Sequence, residues 1–345
     1  MPSRSTAITP TPLALTMGDP AGIGPDCTLS AWVRREELAL PPFVVVGDPD
    51  LFSTRAHVLG IDAPIVQVSG PEDAADCFSH ALPVYPVLLS TLIAPGVPDE
   101  ASAPTIIEAI EVAFGWTRDR RTGGLVTNPI NKKLLSGSGF SHPGHTEFLA
   151  QLCAQGDTIP RPVMLLTGEG LRVVPVTVHM PLKDVSKALS ERLIVETVEI
   201  AARAFRDCFQ ISAPRIGVTG LNPHAGEDGT LGDEEVKIII PAIATLKAKG
   251  IDVDGPLAAD AAFQERVRAR YDAFIAMYHD QALIPVKTLA FDRTVNATLG
   301  LPIIRTSPDH GTAYGLAGTG KAHSGSLIEA LRLADTLASR QLATT

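Results

Sequence analysis

The chain has 345 residues, 45% of them hydrophobic and 19% charged, which suits a folded protein large enough for two cores. A formal charge of −9 without any basic block argues against nucleic acid as a partner, and aromatics at 5% argue against a stacking platform for single strands. Any anionic ligand must therefore be held by a few local cations. Cys27, Cys77, Cys153 and Cys208 lie far apart and form no metal-type pair, so they read as thiols of a reducing compartment. Arg4 is not followed by an apolar segment of the signal-peptide kind, and no run is long enough to span a membrane. The expected location is the cytoplasm.

Taken in order, Leu13–Thr16 reads as a strand that runs into the Gly-rich turn Met17–Asp26 and then a helix. Such a turn can cradle phosphate. The glycine spacing is not that of a dinucleotide fingerprint, however, and Pro20 and Pro25 each remove an amide donor. Phe43–Val46 is a second strand, with Asp48-Pro49 as a helix start. Ile65–Val68 is another strand, residues 80 to 104 are irregular or partly extended, and Thr105–Thr117 has helical periodicity. Gly124–Thr127 is a strand, and Asn128-Pro129 again has the form of a helix cap. Residues 137 to 144 form a loop that is a candidate domain crossing. His145, Thr146 and Glu147 open the next helix, where His145 and Thr146 either face an anion or serve the cap.

Val163–Thr167 and Leu171–Val178 read as a hairpin around Gly168-Glu169-Gly170, followed by a long helix over Glu191–Phe209. Arg215–Thr219 is a strand leading into GLNPHAGEDGTLGDEE, and Asp233, Glu234 and Glu235 stand in the first turn of a helix that Gly250 ends. Strands alternating with helices point to α/β architecture. The densest chemistry lies between Phe274 and Gly325. An apolar run ends on Tyr278, His279 and Asp280, and Lys287, Arg293, Asn296 and Arg305 follow in loops after apolar runs. Asp309, His310 and Gly311 then open a Gly-rich loop. This clustering suits a small anionic substrate bound at the C-terminal edge of a sheet.

His179, His224 and His279 share one pattern: each closely follows an apolar, β-rich run. In one sheet the three could converge as neutral imidazoles on a divalent ion, or they could be separate strand-end residues. Their sequence spacing matches no local zinc motif. Asp260, in LAADAAF, is either a proton-handling carboxylate or a helix cap.

The blocks GDPAGIGPD, TNPINK, GHTEF, GLNPHAGEDGTLGDEE, MYHDQ, VNATLGLPIIRTS and DHGTA stand in one order along nearly the whole chain. In them the sequence resembles the 4-hydroxythreonine-4-phosphate dehydrogenase family of pyridoxal phosphate biosynthesis. The resemblance implies a two-domain α/β fold like that of the isocitrate and isopropylmalate dehydrogenases, distinct from the Rossmann fold, with the active site in the interdomain cleft. It implies a cofactor-side domain over 1–130 plus 300–345, and a metal-binding and dimerisation domain over 131–299. His179, His224 and His279 would bind one divalent ion (zinc, magnesium or cobalt) at the interface of a homodimer. His145, Thr146, Lys287, Asn296 and Arg305 would bind a phosphorylated substrate. His310, Gly311, Thr312 and Ala313 would hold NAD(P), and Lys287 and Asp260 are the candidate catalytic residues. The implied reaction oxidises and decarboxylates 4-phosphooxy-L-threonine to 3-amino-2-oxopropyl phosphate. Two enzyme alternatives stand beside it. One is a same-fold dehydrogenase of a four-carbon sugar-acid phosphate or a carboxylated cyclohexadiene diol. The other is a metal-dependent hydrolase, which would need no NAD.

Overall fold

The structure is a computed structural model that describes residues 11–137, 142 and 144–342. In chain order the strands are β1 (Leu13–Thr16), β2 (Phe43–Gly47), β3 (Ile65–Gln67), β4 (Leu82–Pro86), β5 (Leu125–Thr127), β6 (Val163–Gly168), β7 (Leu171–Pro175), β8 (Ile216–Thr219), β9 (Val253–Leu257), β10 (Ala273–Ala276), β11 (Val295–Leu299) and β12 (Arg305–Pro308). The chain divides into two compact units, residues 1–159 with 302–339, and residues 160–301 with 340–345. The first division falls between Ile159 and Pro160, beyond the 137–144 loop, because the helix His145–Leu152 packs against the helix Ala103–Arg118 and stays with the first unit. Residues 138–141 and 143 of that loop lie outside the described residues.

The first unit contains strands in the order β3-β4-β2-β1-β5-β12, every pair parallel. Its central strands are largely apolar and buried along their whole length, as parallel strands flanked by helices require. Asp48 caps the helix Pro49–Leu59 by accepting from the backbone N–H groups of Asp50 and Leu51, and Gly60 closes it at φ 64°. Asn128 does not cap. It is wholly buried and its amide donates to Thr16 O and Thr28 Oγ1, tying the ends of β1 and β5 to the helix Gly24–Val33. The cap after β5 is Asn131, which accepts from Lys133 and Leu134 N–H. Gly18 sits at φ 72°, where a Cβ would fall 2.7 Å from Asn128 Cβ, so only glycine fits that turn.

The second unit contains strands in the order β11-β6-β7-β10-β8-β9. β6 pairs antiparallel with both β11 and β7, and the remaining pairs are parallel. Leu166, Val173, Phe274 and Ala276 on the strands pack with Ala282 and Val286 of the helix His279–Ala290 into one apolar cluster. That helix corrects the loop reading of Lys287, which lies within it, while Asn296 lies in β11 and Arg305 opens β12. A helix was hidden here because Pro285 interrupts the pattern that periodicity detects. None of the described helices is long and apolar enough to cross a membrane.

Candidate functional site

In the first unit, His145 opens its helix directly behind Gly144, which offers no side-chain cap. The residue is half-buried, but its Nε2 is sealed from solvent and has no hydrogen-bond partner among the described residues. Arg305 is 5% exposed and donates from Nη2 to Thr127 Oγ1 at 2.7 Å. Burial, and then the charges of Arg305 and Lys132, hold His145 well below the usual histidine range. Burial draws the Arg305 guanidinium down to about 10, against the favourable charge of Glu147. The result is a neutral imidazole beside a poorly solvated cation, at a helix N-terminus whose dipole adds positive potential. Such a cradle is short of negative charge and suits a phosphate or carboxylate. Lys132 was not singled out from the sequence. Its aliphatic chain lies where a Cβ on Gly144 would be, so glycine is what lets the lysine approach.

The depressed His145 value carries a sign. The unfolded residue binds its proton near pH 6.5, and the folded one only at lower pH. As pH falls below 6.5 the unfolded state takes up a proton that the folded state refuses, so stability is lost there. The slope can reach about 1.4 kcal/mol per pH unit for one proton. His145→Gln should therefore melt with a shallower acid dependence between pH 6.5 and 5 than the parent. Parallel melting profiles would exclude a neutral, sealed imidazole.

The loop after β12 rests on the N-terminal turn. Ile23 N–H donates to Thr312 O at 2.9 Å, and Gly318 N–H donates to Asp26 Oδ1 at 2.7 Å. Asp26 is itself held by a buried ion pair with Arg55. The Tyr314 hydroxyl donates to Asp19 and accepts from Asn131 Nδ2. Burial raises the Asp19 carboxyl, and burial together with Asp19 pushes the Tyr314 phenol up to about 12. His310, Gly311, Thr312 and Ala313 thus lie on a rigid support, with Ala313 in the left-handed region at φ 43°. Nothing lies within 4 Å of where a Cβ on Gly311 would sit, which leaves the backbone open to a ligand. Asp19, Asp26, Arg55 and Tyr314 were not identified from sequence, because buried polar support gives no periodic signal.

In the second unit, the structure brings His179 and His279 together, with ring centroids 5.7 Å apart. They line a cavity of about 480 Å³ with Val178, Tyr278 and Asp280. His279 Nδ1 is 2.7 Å from Asp280 Oδ1, so the tautomer that donates to the carboxylate leaves Nε2 with a lone pair. Two imidazoles, one oriented by a carboxylate, are a fitting donor set for a divalent ion. His224 is exposed on the loop after β8. Among the described residues, no three His, Cys, Asp or Glu side chains of this one chain gather into a metal-holding group. Lys287 is half-buried with its ammonium 5.6 Å from the Phe291 ring centroid, and Asn296 is half-buried on β11. Asp260 is exposed in the first turn of the helix Ala259–Ala262 and does not cap it, since Ala258 holds the cap position.

The strand ends behind the histidines are tied together. Thr177 Oγ1 donates to Met277 O at 2.8 Å. Gln281 Oε1 accepts from Met277 N and Thr219 Oγ1, and its Nε2 donates to Gly220 O at 2.8 Å. Gln281 and Thr177 thereby join the strand ends that lead to His179, His224 and His279.

Comparison with known proteins gives these features a family. Residues 39–334 match the model of the family described as pyridoxal phosphate biosynthetic protein PdxA. A 4-hydroxythreonine-4-phosphate dehydrogenase from Bradyrhizobium diazoefficiens is 53% identical over 335 residues, covering 95% of this chain and 97% of that protein. The crystal structure of the Klebsiella pneumoniae enzyme of that name superposes with a TM-score of 0.85 at 36% identity, covering 97% of this chain and 99% of the other. A terephthalate 1,2-cis-dihydrodiol dehydrogenase from Burkholderia xenovorans is more distant, with a TM-score of 0.63 at 27% identity over 94% of this chain and 98% of the other. The chain therefore belongs to the pyridoxal phosphate biosynthetic protein PdxA family, and it is an oxidoreductase.

Proposed function

We propose that the chain oxidises and decarboxylates 4-phosphooxy-L-threonine to 3-amino-2-oxopropyl phosphate in pyridoxine 5′-phosphate synthesis. The observation that carries this reading is the first unit's anion cradle, where buried Arg305 lies beside the sealed Nε2 of His145, which has no partner among the described residues. A phosphate there restores solvation to the guanidinium and gives the imidazole a partner. Thr146 adds a hydroxyl from the same helix turn, and Lys287 and Asn296 are assigned further substrate contacts. The 310–313 loop is assigned to NAD(P), with its exposed Gly311 backbone as the surface of approach. His179, His224 and His279 are assigned to zinc, magnesium or cobalt. Bound there, the nucleotide would accept the hydride and the ion would supply Lewis acidity to the reacting oxygens. In this reading the chain's own residues fix the phosphate, orient the His279 imidazole through Asp280, and move protons through Lys287 and Asp260.

The working unit is proposed to be a homodimer whose metal site draws on both subunits. Within one chain His179 and His279 pair without His224, so the third imidazole is assigned to a partner subunit. The exposed apolar side chains Met180, Leu182, Ile284 and Phe291, near these histidines in sequence, suit a covered face. In this scheme the second unit is the metal-binding and dimerising one, and the first is cofactor-side. The location remains assigned to the cytoplasm.

The test is reduction of NAD or NADP by the purified protein with a substrate panel. 4-Phosphooxy-L-threonine should give reduced cofactor and carbon dioxide, and its unphosphorylated analogue should be poor. Preference for a sugar-acid phosphate or a carboxylated cyclohexadiene diol would replace the substrate. Turnover without nucleotide would replace the reaction with hydrolysis.

A further inference from the structure

The loop that carries His224 has an unusual backbone. His224, Ala225, Gly226, Glu227 and Asp228 have φ values of 53°, 53°, 80°, 42° and 54°. Only Gly226 tolerates that region freely, and L-residues there cost about 1–2 kcal/mol each. A run of this kind persists only where its surroundings over-determine it. Glu234 accepts from Asn222 Nδ2 at 2.8 Å, and Leu231 N–H donates to Gly226 O at 3.0 Å, but the most extensive support is one buried carboxylate. Glu235 is 1% exposed, and its Oε1 accepts from Leu221 N at 2.7 Å and Asn222 N at 2.8 Å. Its Oε2 accepts from Asn222 Nδ2 at 2.9 Å. The loop also closes on the carboxylate from both sides of His224. A Cβ on Gly220 would lie 3.0 Å from Oε1, and one on Gly226 would lie 2.6 Å from Oε2. Glu235 begins a wide π-type turn, Glu235–Ile239, a geometry often found at functional sites.

We infer that Glu235 is a positioning residue for His224, holding the left-handed loop so that this imidazole is presented to the divalent ion. The inference rests on the metal reading above and assigns a role to a residue outside the proposed donor set. Burying a carboxylate among backbone N–H groups is a costly way to shape a surface loop with no task. The same carboxylate spans Gly220 to Gly226, so it fixes the entry and the exit of the segment that carries His224. Without it the run can relax to right-handed backbone, and the imidazole leaves its direction even though its chemistry is intact.

The experiment titrates Co²⁺ into the full-length, metal-free protein and follows visible absorption, with inorganic phosphate binding measured beside it. Glu235→Gln keeps the shape and one acceptor oxygen but removes the negative charge. Its Co²⁺ affinity should fall about tenfold to a hundredfold, the range for groups that orient metal ligands, with phosphate affinity unchanged. Asn222→Ala leaves the carboxylate on its two backbone partners and should lose about tenfold, which keeps the test decisive if Glu235→Gln folds poorly. His224→Ala is the control for the metal reading. If His224→Ala weakens Co²⁺ binding and both other variants bind it as the parent does, the Glu235 assignment is wrong and the metal site stands. If His224→Ala binds Co²⁺ unchanged, the metal reading fails and takes this inference with it. Equal loss of Co²⁺ and phosphate binding in Glu235→Gln would show a general structural role and overturn the assignment.

Discussion

Arg305→Met should lower kcat/KM for the phosphorylated substrate by about a hundredfold to a thousandfold while leaving the melting temperature unchanged or higher. The two effects have one cause. Arg305 is almost fully buried, and burial has already lowered its pKa to about 10. The free protein therefore bears a desolvation penalty that an apolar side chain of similar volume relieves. Under the proposed assignment, a bound phosphate would give the same guanidinium charge-assisted bonds away from bulk water. Truncating one partner of such a buried pair costs about 3–4 kcal/mol, which is the stated loss in rate. An unphosphorylated analogue never makes the contact and should lose far less. Steady-state kinetics on both substrates, with melting curves of the free variant, check this. Equal proportional losses on both substrates, or a large fall in melting temperature, would assign Arg305 to the fold.

His179→Ala and His279→Ala should each remove bound metal and lower turnover by about three powers of ten, on the order of 4 kcal/mol of lost Lewis-acid stabilisation. Asp280→Asn should lose only about tenfold to a hundredfold in metal affinity, because it acts on the orientation of His279. Pairwise mixing extends the test. His179 and His279 lie side by side in one chain, so mixing those two variants should restore nothing. Mixing His224→Ala with His279→Ala should restore activity, since one of the two sites of the proposed mixed dimer would then have a complete donor set. Metal content by elemental analysis and activity after subunit exchange give the readout. Recovery from the first mixture, or none from the second, would reassign which ligand crosses between subunits.

The regular elements of this fold were legible because burial repeats. The apolar runs at Leu13, Phe43, Val163 and Phe274 each proved to be strands, and Asp48-Pro49 started a helix as its chemistry requires. Motif order carried the family. Local chemistry misled where two roles look alike in sequence. Asn128-Pro129 has the form of a cap, yet Asn128 spends its amide on Thr16 and Thr28 across the core. Asp260 resembled a cap and stands in the first turn instead. Glu235 read as one of three acids in a helix's first turn, but its partners are backbone and side-chain groups of the preceding loop. Gln281 and Tyr314 gave no signal at all, because a side chain that joins distant strand ends or braces a loop has no spacing to detect. The convergence of His179 with His279 likewise depends on the neighbouring β7 and β10, a pairing that sequence separation conceals.

The first unit is discontinuous, and that sets an order of events during synthesis. β1, β2 and β5 leave the ribosome early, but β5 lacks its neighbour β12 until after residue 305 has been made. The 160–301 segment is contiguous and can fold while it emerges. The N-terminal part must wait, with a parallel edge open, through the time needed to make that whole insert. Its last strand begins with Arg305, so the residue that completes the anion cradle arrives with the strand that closes the sheet. A nascent chain stalled before that point lacks Arg305, so under the proposed assignment anion binding would mark a finished first unit.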